Sequence, residues 1–394
     1  MKYIVVKRVN VCYHTRKKYI CPCAADITKG RKHMSHKLKV GIIGATGFVG
    51  QRFVALLDQH PWFSCSAVAA SPRSAGKTYS EAVEGRWKID APMPEYVKKM
   101  TVFGLDRLDE FLDEVDFVFC AVDMPKDQIR EFEETIARRE VPVVSNNSAH
   151  RTTPDVPMII PEINPEHSAV IDYQKKRLGT QRGFIAVKPN CSIQSYVPAL
   201  HPLKDFGIQK LIVSTYQAIS GAGKTFSDWP EMVNNLIPYI GGEEEKSEQE
   251  PLKIWGSIRN NQIIPTSSPI ISAQCYRVAV FEGHTAAVSV LFEKKPSIEE
   301  IRSRWSEFEG EAVRLALPSA PNPFLKYVEE NDRPQPMLDS SFEKGMGITI
   351  GRLRKDNIFD YKFVCLSHNT LRGAAGGGVL TAELLTKYGY IRPR

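Results

Sequence analysis

A cysteine that is to act as a nucleophile needs surroundings that favour its thiolate. The stretch Val187-Lys188-Pro189-Asn190-Cys191-Ser192 offers such a place. The apolar run 183–187 reads as a buried strand, Pro189 and Asn190 end it, and Cys191 and Ser192 open a helical pattern. A thiol at a helix N-terminus faces unpaired backbone N–H groups and the positive end of the dipole, and both favour ionisation. The plain alternative is one more small buried hydrophobe, which is what most cysteines are.

Other residues with chemical use stand downstream. A strand over 210–216 delivers Gln217-Ala218-Ile219-Ser220-Gly221-Ala222-Gly223, where glycines allow close backbone approach to a ligand and Gln217 can orient a carbonyl. Residues 277–284 alternate as a strand that ends in Gly283-His284, ahead of a second strand over 285–292. A lone histidine is more often structural, but this one stands where side chains project beyond a sheet, and Arg277 is seven residues earlier. The run 243–253 is dense in charge and reads mostly as a solvated helix. Within it Glu250 and Lys253, three apart, share one face and can point together into a site. Strand register alone does not bring Arg277, His284 and Cys191 together.

The elements that must position these groups begin with the strand 39–43. It runs into Gly44-Ala45-Thr46-Gly47-Phe48-Val49-Gly50 and then a helix over 51–59. Strand, glycine-rich turn and helix in that order let backbone N–H groups approach a pyrophosphate at the helix start. The next strand, 64–70, ends without the acidic residue that would bind a ribose 2′-hydroxyl. Ser71, Arg73, Ser74 and Lys77 stand there instead and suit a 2′-phosphate, so NADP(H) is the expected cofactor. A polar solvated loop is the plain alternative. Strands over 116–122 and 141–145 flank a helix over 126–140, the alternation of a doubly wound parallel sheet. Arg151, in the segment after that sheet strand, can grip an anion bidentately. A helix from 192 to about 206 contains Pro198 and Pro202 and is expected to kink or break.

With 394 residues, 42% hydrophobic and 25% charged, the chain is large enough for two domains. No apolar run approaches the ~20 residues that span a membrane. The formal charge of +7 invites a nucleic-acid partner, yet residues 1–37 hold ten Lys or Arg against Asp26 alone. The remaining chain is therefore at −2, which leaves no broad phosphate footprint and argues against nucleic acid. Cys12, His14, Cys21, Cys23 and His33 match no familiar zinc spacing, and no metal is expected. The arm is set apart from the fold and expected to be poorly ordered. Eight thinly spread cysteines, with Cys65, Cys120 and Cys365 in apolar runs, point to a reducing, cytoplasmic setting.

Taken together, the motifs at 44–50, 71–77, 189–192, 217–223, 277–284 and 369–377 resemble the aspartate-β-semialdehyde dehydrogenases over residues 38–391. The runs 145–151 and 157–164 are more similar to the archaeal and fungal branch. The resemblance implies an α/β chain: an N-terminal Rossmann-type doubly wound parallel sheet, an α+β catalytic and dimerisation domain, and a C-terminal helix returning to the first domain. The implied divisions are an extension over 1–37, an NADP-binding domain over 38–188, a catalytic and dimerisation domain over 189–366, and a C-terminal segment over 367–394. It implies NADPH-dependent conversion of aspartyl phosphate to aspartate semialdehyde in amino-acid biosynthesis, through a thioester on Cys191. His284 would be the acid/base and Gln217 would position the acyl group. Arg277, with Glu250 nearby, would receive the amino-acid end. Lys253, Asn190 and Arg151 would hold phosphate. Cofactor contacts are expected from Gly44, Thr46, Gly47, Phe48, Val49, Ser71, Arg73, Ser74, Lys77, Ser220, Gly221, Asn369 and Thr370. A protonated His284 and the helix start would lower the thiol pKa. A homodimer or homotetramer is implied. Malonyl-CoA reductase and N-acetyl-glutamyl-phosphate reductase are rival activities on the same fold, and a nucleotide-binding protein with a nucleic-acid-binding arm is the rival of another class.

Overall fold

The computed structural model describes residues 36–394, so the basic arm and its cysteines and histidines lie outside the described residues apart from His36 and Lys37. Six short strands form the first sheet: β1 (Leu38–Ile43), β2 (Phe63–Ala70), β3 (Val102–Gly104), β4 (Phe117–Cys120), β5 (Val143–Ser145) and β6 (Ile185–Val187). Their order is β3-β2-β1-β4-β5-β6 and every neighbouring pair is parallel. Such a sheet is covered on both faces, which is why β4 and β5 are buried throughout and apolar but for Ser145, whose hydroxyl donates to Glu133. The order reverses beside β1, the switch point at which open α/β sheets bind ligands.

The helix Phe48–Leu57 begins directly after the glycine turn and buries Phe48, Phe53, Val54 and Leu57. Phe53 stacks on Phe119 of β4 with ring centroids 4.3 Å apart. The last helix, Gly376–Lys387, returns to this place. A Cβ at Gly378 would lie 3.0 Å from the Phe53 ring, so the glycine lets the two helices meet here without displacing that ring. Val379, Leu380, Leu384 and Leu385 share one core with Val40, Ile42 and Phe119.

The second sheet is mixed. Its strands are β7 (Ile208–Gln217), β8 (Leu236–Ile237), β11 (Ile270–Val278), β12 (His284–Phe292), β13 (Leu325–Val328), β14 (Ile348–Lys355) and β15 (Tyr361–Ser367), and β9 (Ser257–Arg259) pairs with β10 (Gln262–Ile264) apart from it. The order is β13-β14-β15-β12-β7-β11-β8. Two expectations change here. The expected strand over 277–284 ends at Val278, and His284 is the first residue of β12. Gly283, with φ +100°, turns the chain between them, and its N–H goes to the side chain of Asn369 at 2.8 Å, outside any ladder. The charge-dense run does form a helix, Glu243–Ile254, yet it is far from wholly solvated. Glu243, Ser247, Glu250 and Lys253, spaced along one face, are all buried. The helix after Cys191 breaks as its prolines require, into an α-helix Ile193–Leu200 and a 3₁₀ turn His201–Phe206. Among the described residues no helix is long and apolar enough to cross a membrane.

Candidate functional site

Cys191 follows β6 by a short turn and stands ahead of the helix Ile193–Leu200, as its sequence position indicated. Asn190 shapes that turn. Its side-chain oxygen accepts from the Ser192 N–H at 2.8 Å and the Ser192 hydroxyl at 2.6 Å, an arrangement that satisfies donors at the helix start. The C-terminal segment closes the other side. A Cβ at Gly373 would lie 2.7 Å from the Cys191 Cβ, so the glycine is what admits the nucleophile.

His284 reaches the same point from the start of β12. Its Nε2 is 3.5 Å from Cys191 Sγ. Its Nδ1 accepts the Ala218 N–H at 3.1 Å, which fixes the neutral ring with hydrogen on Nε2, facing the sulfur. Burial, then the Arg277 and His368 charges, hold the imidazole well below its ordinary pKa, against a smaller opposing pull from the Gly283 carbonyl. The thiol is shifted upward, by burial first and by Glu243 second, with Lys188, Arg277 and Arg151 opposing. The expected imidazolium beside a depressed thiol is therefore corrected: the fully buried imidazole is shifted down and the half-buried thiol up, both toward their uncharged forms.

The rest of the cradle comes from β7, β11 and the helix Glu243–Ile254. Arg277, buried, donates from Nη1 to the Ala218 carbonyl at 2.7 Å. Gly221 lies between it and His284: a Cβ there would be 3.0 Å from Arg277 Nη1 and 3.1 Å from His284 Nε2. Gln217 Nε2 donates to Glu243 Oε2 at 3.2 Å, and Asn190 Nδ2 donates to both Glu243 oxygens at 3.0 Å. Burial would raise the Glu243 carboxyl, but Lys246, Asn190 and Gln217 outweigh it and keep it below the ordinary value. Lys246 reaches Glu243 at 2.7 Å from a partly exposed position.

Cys191, His284, Gln217, Arg277 and Asn190 thus converge. Glu250, Lys253 and Arg151 lie behind them. Glu250 takes Arg151 Nη1 at 2.9 Å and the Asn190 N–H at 2.6 Å. Lys253 donates to the carbonyls of Arg151, Thr153 and Val156 at 2.7, 2.7 and 2.9 Å, and burial depresses it to about 7. Glu243 and Lys246 fall in the part of the run that reads as solvated. The signal was present: Glu243 stands seven residues before Glu250, on the same helical stripe.

A second constellation ties the two sheets at this point. Glu282, next to Gly283 and His284, pairs with Arg52 of the helix Phe48–Leu57, with His368 Nε2 at 3.0 Å, and with the Thr370 hydroxyl at 2.9 Å. Asn369 donates to Ser220 Oγ at 2.8 Å.

The glycine turn fits a dinucleotide. Gly44 has φ +83°, and a Cβ on it would lie 2.2 Å from the Ala121 carbonyl. A Cβ on Gly50 would lie 2.2 Å from the Gly44 carbonyl. Gly47 is exposed at the helix start, with Thr46, Phe48 and Val49 around it. After β2, Ser71, Arg73 and Lys77 are exposed, and the buried Ser74 hydroxyl has no hydrogen-bond partner. Two cations and an orphaned hydroxyl suit a phosphate.

Comparison with known proteins bears on the family and the fold. Residues 39–171 match the family model of the semialdehyde dehydrogenase NAD-binding domain, and residues 200–372 match that of the semialdehyde dehydrogenase dimerisation domain. The aspartate-semialdehyde dehydrogenase of Archaeoglobus fulgidus is 42% identical over 351 residues, covering 89% of this chain and 98% of that protein. That of Aspergillus fumigatus is 40% identical over 364 residues, covering 90% and 99%. The crystal structure of the Candida albicans enzyme with NADP superposes with a TM-score of 0.81 at 38% identity, over 90% of this chain and 100% of that one.

Proposed function

The chain belongs to the aspartate-semialdehyde dehydrogenase family, and we propose that Cys191, His284, Gln217, Arg277 and Glu243 carry its reaction. That reaction is the NADPH-dependent reductive dephosphorylation of L-aspartyl-4-phosphate to L-aspartate-4-semialdehyde. The observation that carries the residue assignment is the 3.5 Å approach of Cys191 Sγ to a His284 ring whose other nitrogen is already occupied.

Attack by the ionised Cys191 sulfur on the acyl phosphate carbonyl forms a C–S bond and breaks the C–O bond to phosphate, whose oxygen leaves with the electron pair, giving a thioester. Splitting one difficult transfer into two easier ones is the gain from a covalent intermediate. Bound NADPH, held by the turn 44–50 and by Ser71, Arg73, Ser74 and Lys77, supplies the hydride. His284 Nε2–H points where the carbonyl oxygen gathers negative charge, the acid side of its acid/base role. Release of the aldehyde returns the C–S electron pair to Cys191. Arg277 Nη1 is held by the Ala218 carbonyl, which leaves its Nε and Nη2 edge for the substrate carboxylate, and the Glu243 carboxylate is the group for the substrate ammonium. Lys246, though paired with Glu243, is the partly exposed cation that can turn to the phosphate, since Arg151 and Lys253 are buried, the one paired with Glu250 and the other bonded to backbone carbonyls. Asn369, Thr370, Ser220 and Gly221 line the approach from the cofactor side.

The domain assignment keeps the divisions 38–188, 189–366 and 367–394. The chain carries the family's dimerisation domain and assembles with copies of itself. A homodimer through the second sheet is supported by Ile212, Tyr216 and Ile270, which stay exposed on it. Cys65, Cys120, Cys275 and Cys365, all free and buried, suit a cytoplasmic setting.

Purified protein tested with aspartate semialdehyde, NADP and phosphate should produce NADPH only when phosphate is present. Turnover with malonyl-CoA alone would correct the substrate and keep the cysteine chemistry. Phosphate-independent turnover would remove the acyl phosphate from the account.

A further inference from the structure

Lys188 has no part in the chemistry above, yet it is 2% exposed and three residues before the nucleophile. Its Nζ donates to the Pro189 carbonyl at 2.5 Å and to the Gly373 carbonyl. Both carbonyls belong to segments against Cys191: Pro189 leads into it, and Gly373 is the glycine whose missing side chain admits it. Among the described residues no carboxylate lies within ion-pair distance of this ammonium. Burying a lysine without a carboxylate is costly, so the position calls for a reason.

His284 supplies one. With Nδ1 accepting the Ala218 N–H, its Nε2 carries hydrogen toward the sulfur and has no lone pair to take the thiol proton. Ionised Cys191 therefore needs its countercharge from another group. Lys188 is first among the cations that favour the thiolate, ahead of Arg277 and of Arg151, which is paired with Glu250, whereas Glu243 repels a thiolate.

Resting on the Cys191 reading above, we propose that Lys188 is a positioning residue whose buried ammonium is the countercharge of the Cys191 thiolate and sets how readily that thiol ionises. The groups facing Lys188 are Arg151, which disfavours its charge, and Cys191, Glu250 and Glu243, which favour it. Burial brings it to about 7, so the charge can be gained or lost near neutral pH. A neutral amine has two N–H donors, matching the two carbonyls. The ammonium adds a third. Lys188 and Cys191 then titrate as a pair, with thiol and amine exchanging for thiolate and ammonium at constant proton count.

The test is alkylation of Cys191 by iodoacetamide from pH 5 to 10, followed at that one peptide by mass spectrometry so that the other thiols do not contribute. In Lys188→Met the thiol inflection should move to higher pH and alkylation at neutral pH should slow roughly tenfold, with NADP affinity retained. Lys188→Arg, charged at every pH, should leave the inflection at or below that of the parent. A Met variant that binds NADP and alkylates like the parent overturns the proposal, as does an Arg variant as slow as Met. If Met fails to bind NADP, Lys188→Gln replaces it. If neither neutral variant folds, the Arg comparison decides alone, an inflection above the parent's being the contrary result. The Cys191 reading fails differently: full alkylation of Cys191 would leave turnover intact.

Discussion

Glu282 joins the nucleotide helix to the turn that carries His284, and its replacement by Gln reads both the strength of that joint and its purpose. Burial alone would raise this carboxyl. The His368 hydrogen bond and charge, with Arg52, outweigh burial and bring it from 4.5 to about 2. A carboxylate whose folded pKa is depressed contributes stability in full above its unfolded value and loses it as pH falls through the folded one. The window here runs from about 4.5 down to about 2. At about 1.36 kcal/mol per pKa unit the contribution is on the order of 3 kcal/mol, an upper figure, because Gln retains one acceptor for Arg52 and Thr370. Urea unfolding of parent and Glu282→Gln at several pH values would measure it. The difference should be about 1–3 kcal/mol at pH 7 and shrink steadily below pH 4.5, where the parent also loses its charge. The other carboxylates cancel in the comparison. Because Glu282 is two residues from His284, kcat should fall more than NADP affinity. A difference that is absent at pH 7, or equally large at pH 3, would refute the reasoning.

Cys191→Ser should remove nearly all turnover while leaving NADP affinity almost unchanged; titration of bound cofactor beside a rate assay checks both. Arg277→Lys should chiefly raise the aspartate semialdehyde KM, since an ammonium cannot reproduce a two-pronged grip, and an unchanged KM would move the carboxylate site elsewhere. Gly221→Ala places a methyl 3.0–3.1 Å from Arg277 and His284 and should lower kcat/KM on the order of 10²-fold, with little change in thermal stability.

Much of the first sheet was legible because buried parallel strands are short apolar runs bounded by turns, and the run into Gly44 through Gly50 carries its own context. The limits of β1, β2 and the helix at 126 came within a few residues of expectation. Three-residue β3 has only Val102 and Phe103 ahead of a glycine, whereas the equally short β5 and β6 lie in longer apolar runs. The strand through 277–284 misled because alternation continues past Val278, where the chain leaves the sheet: the Val280 N–H turns back to the Val278 carbonyl, and the Val280 and Phe281 carbonyls accept from Ile219 and Ser220. Cys191 and His284 were legible as candidates, each at an element boundary. Their 3.5 Å meeting was not, since it depends on β12 lying beside β7 in a sheet that no local signal describes. Glu243 and Lys246 were hidden by the charge of their own run: a buried polar stripe and a solvated face have the same composition and differ only in what packs on them. The direction of the thiol's shift was not legible for the same reason, burial being a property of the whole fold.

The central claim is that the Cys191 sulfur forms a bond to the substrate's side-chain carbonyl before any reduction occurs. Mixing the protein with aspartyl phosphate in the absence of NADPH, then measuring free phosphate and intact and peptide mass, tests it directly. Phosphate should be released with an aspartyl adduct on Cys191, and Cys191→Ser should show neither. Phosphate release only after NADPH is added, or an adduct on another residue, would contradict the account.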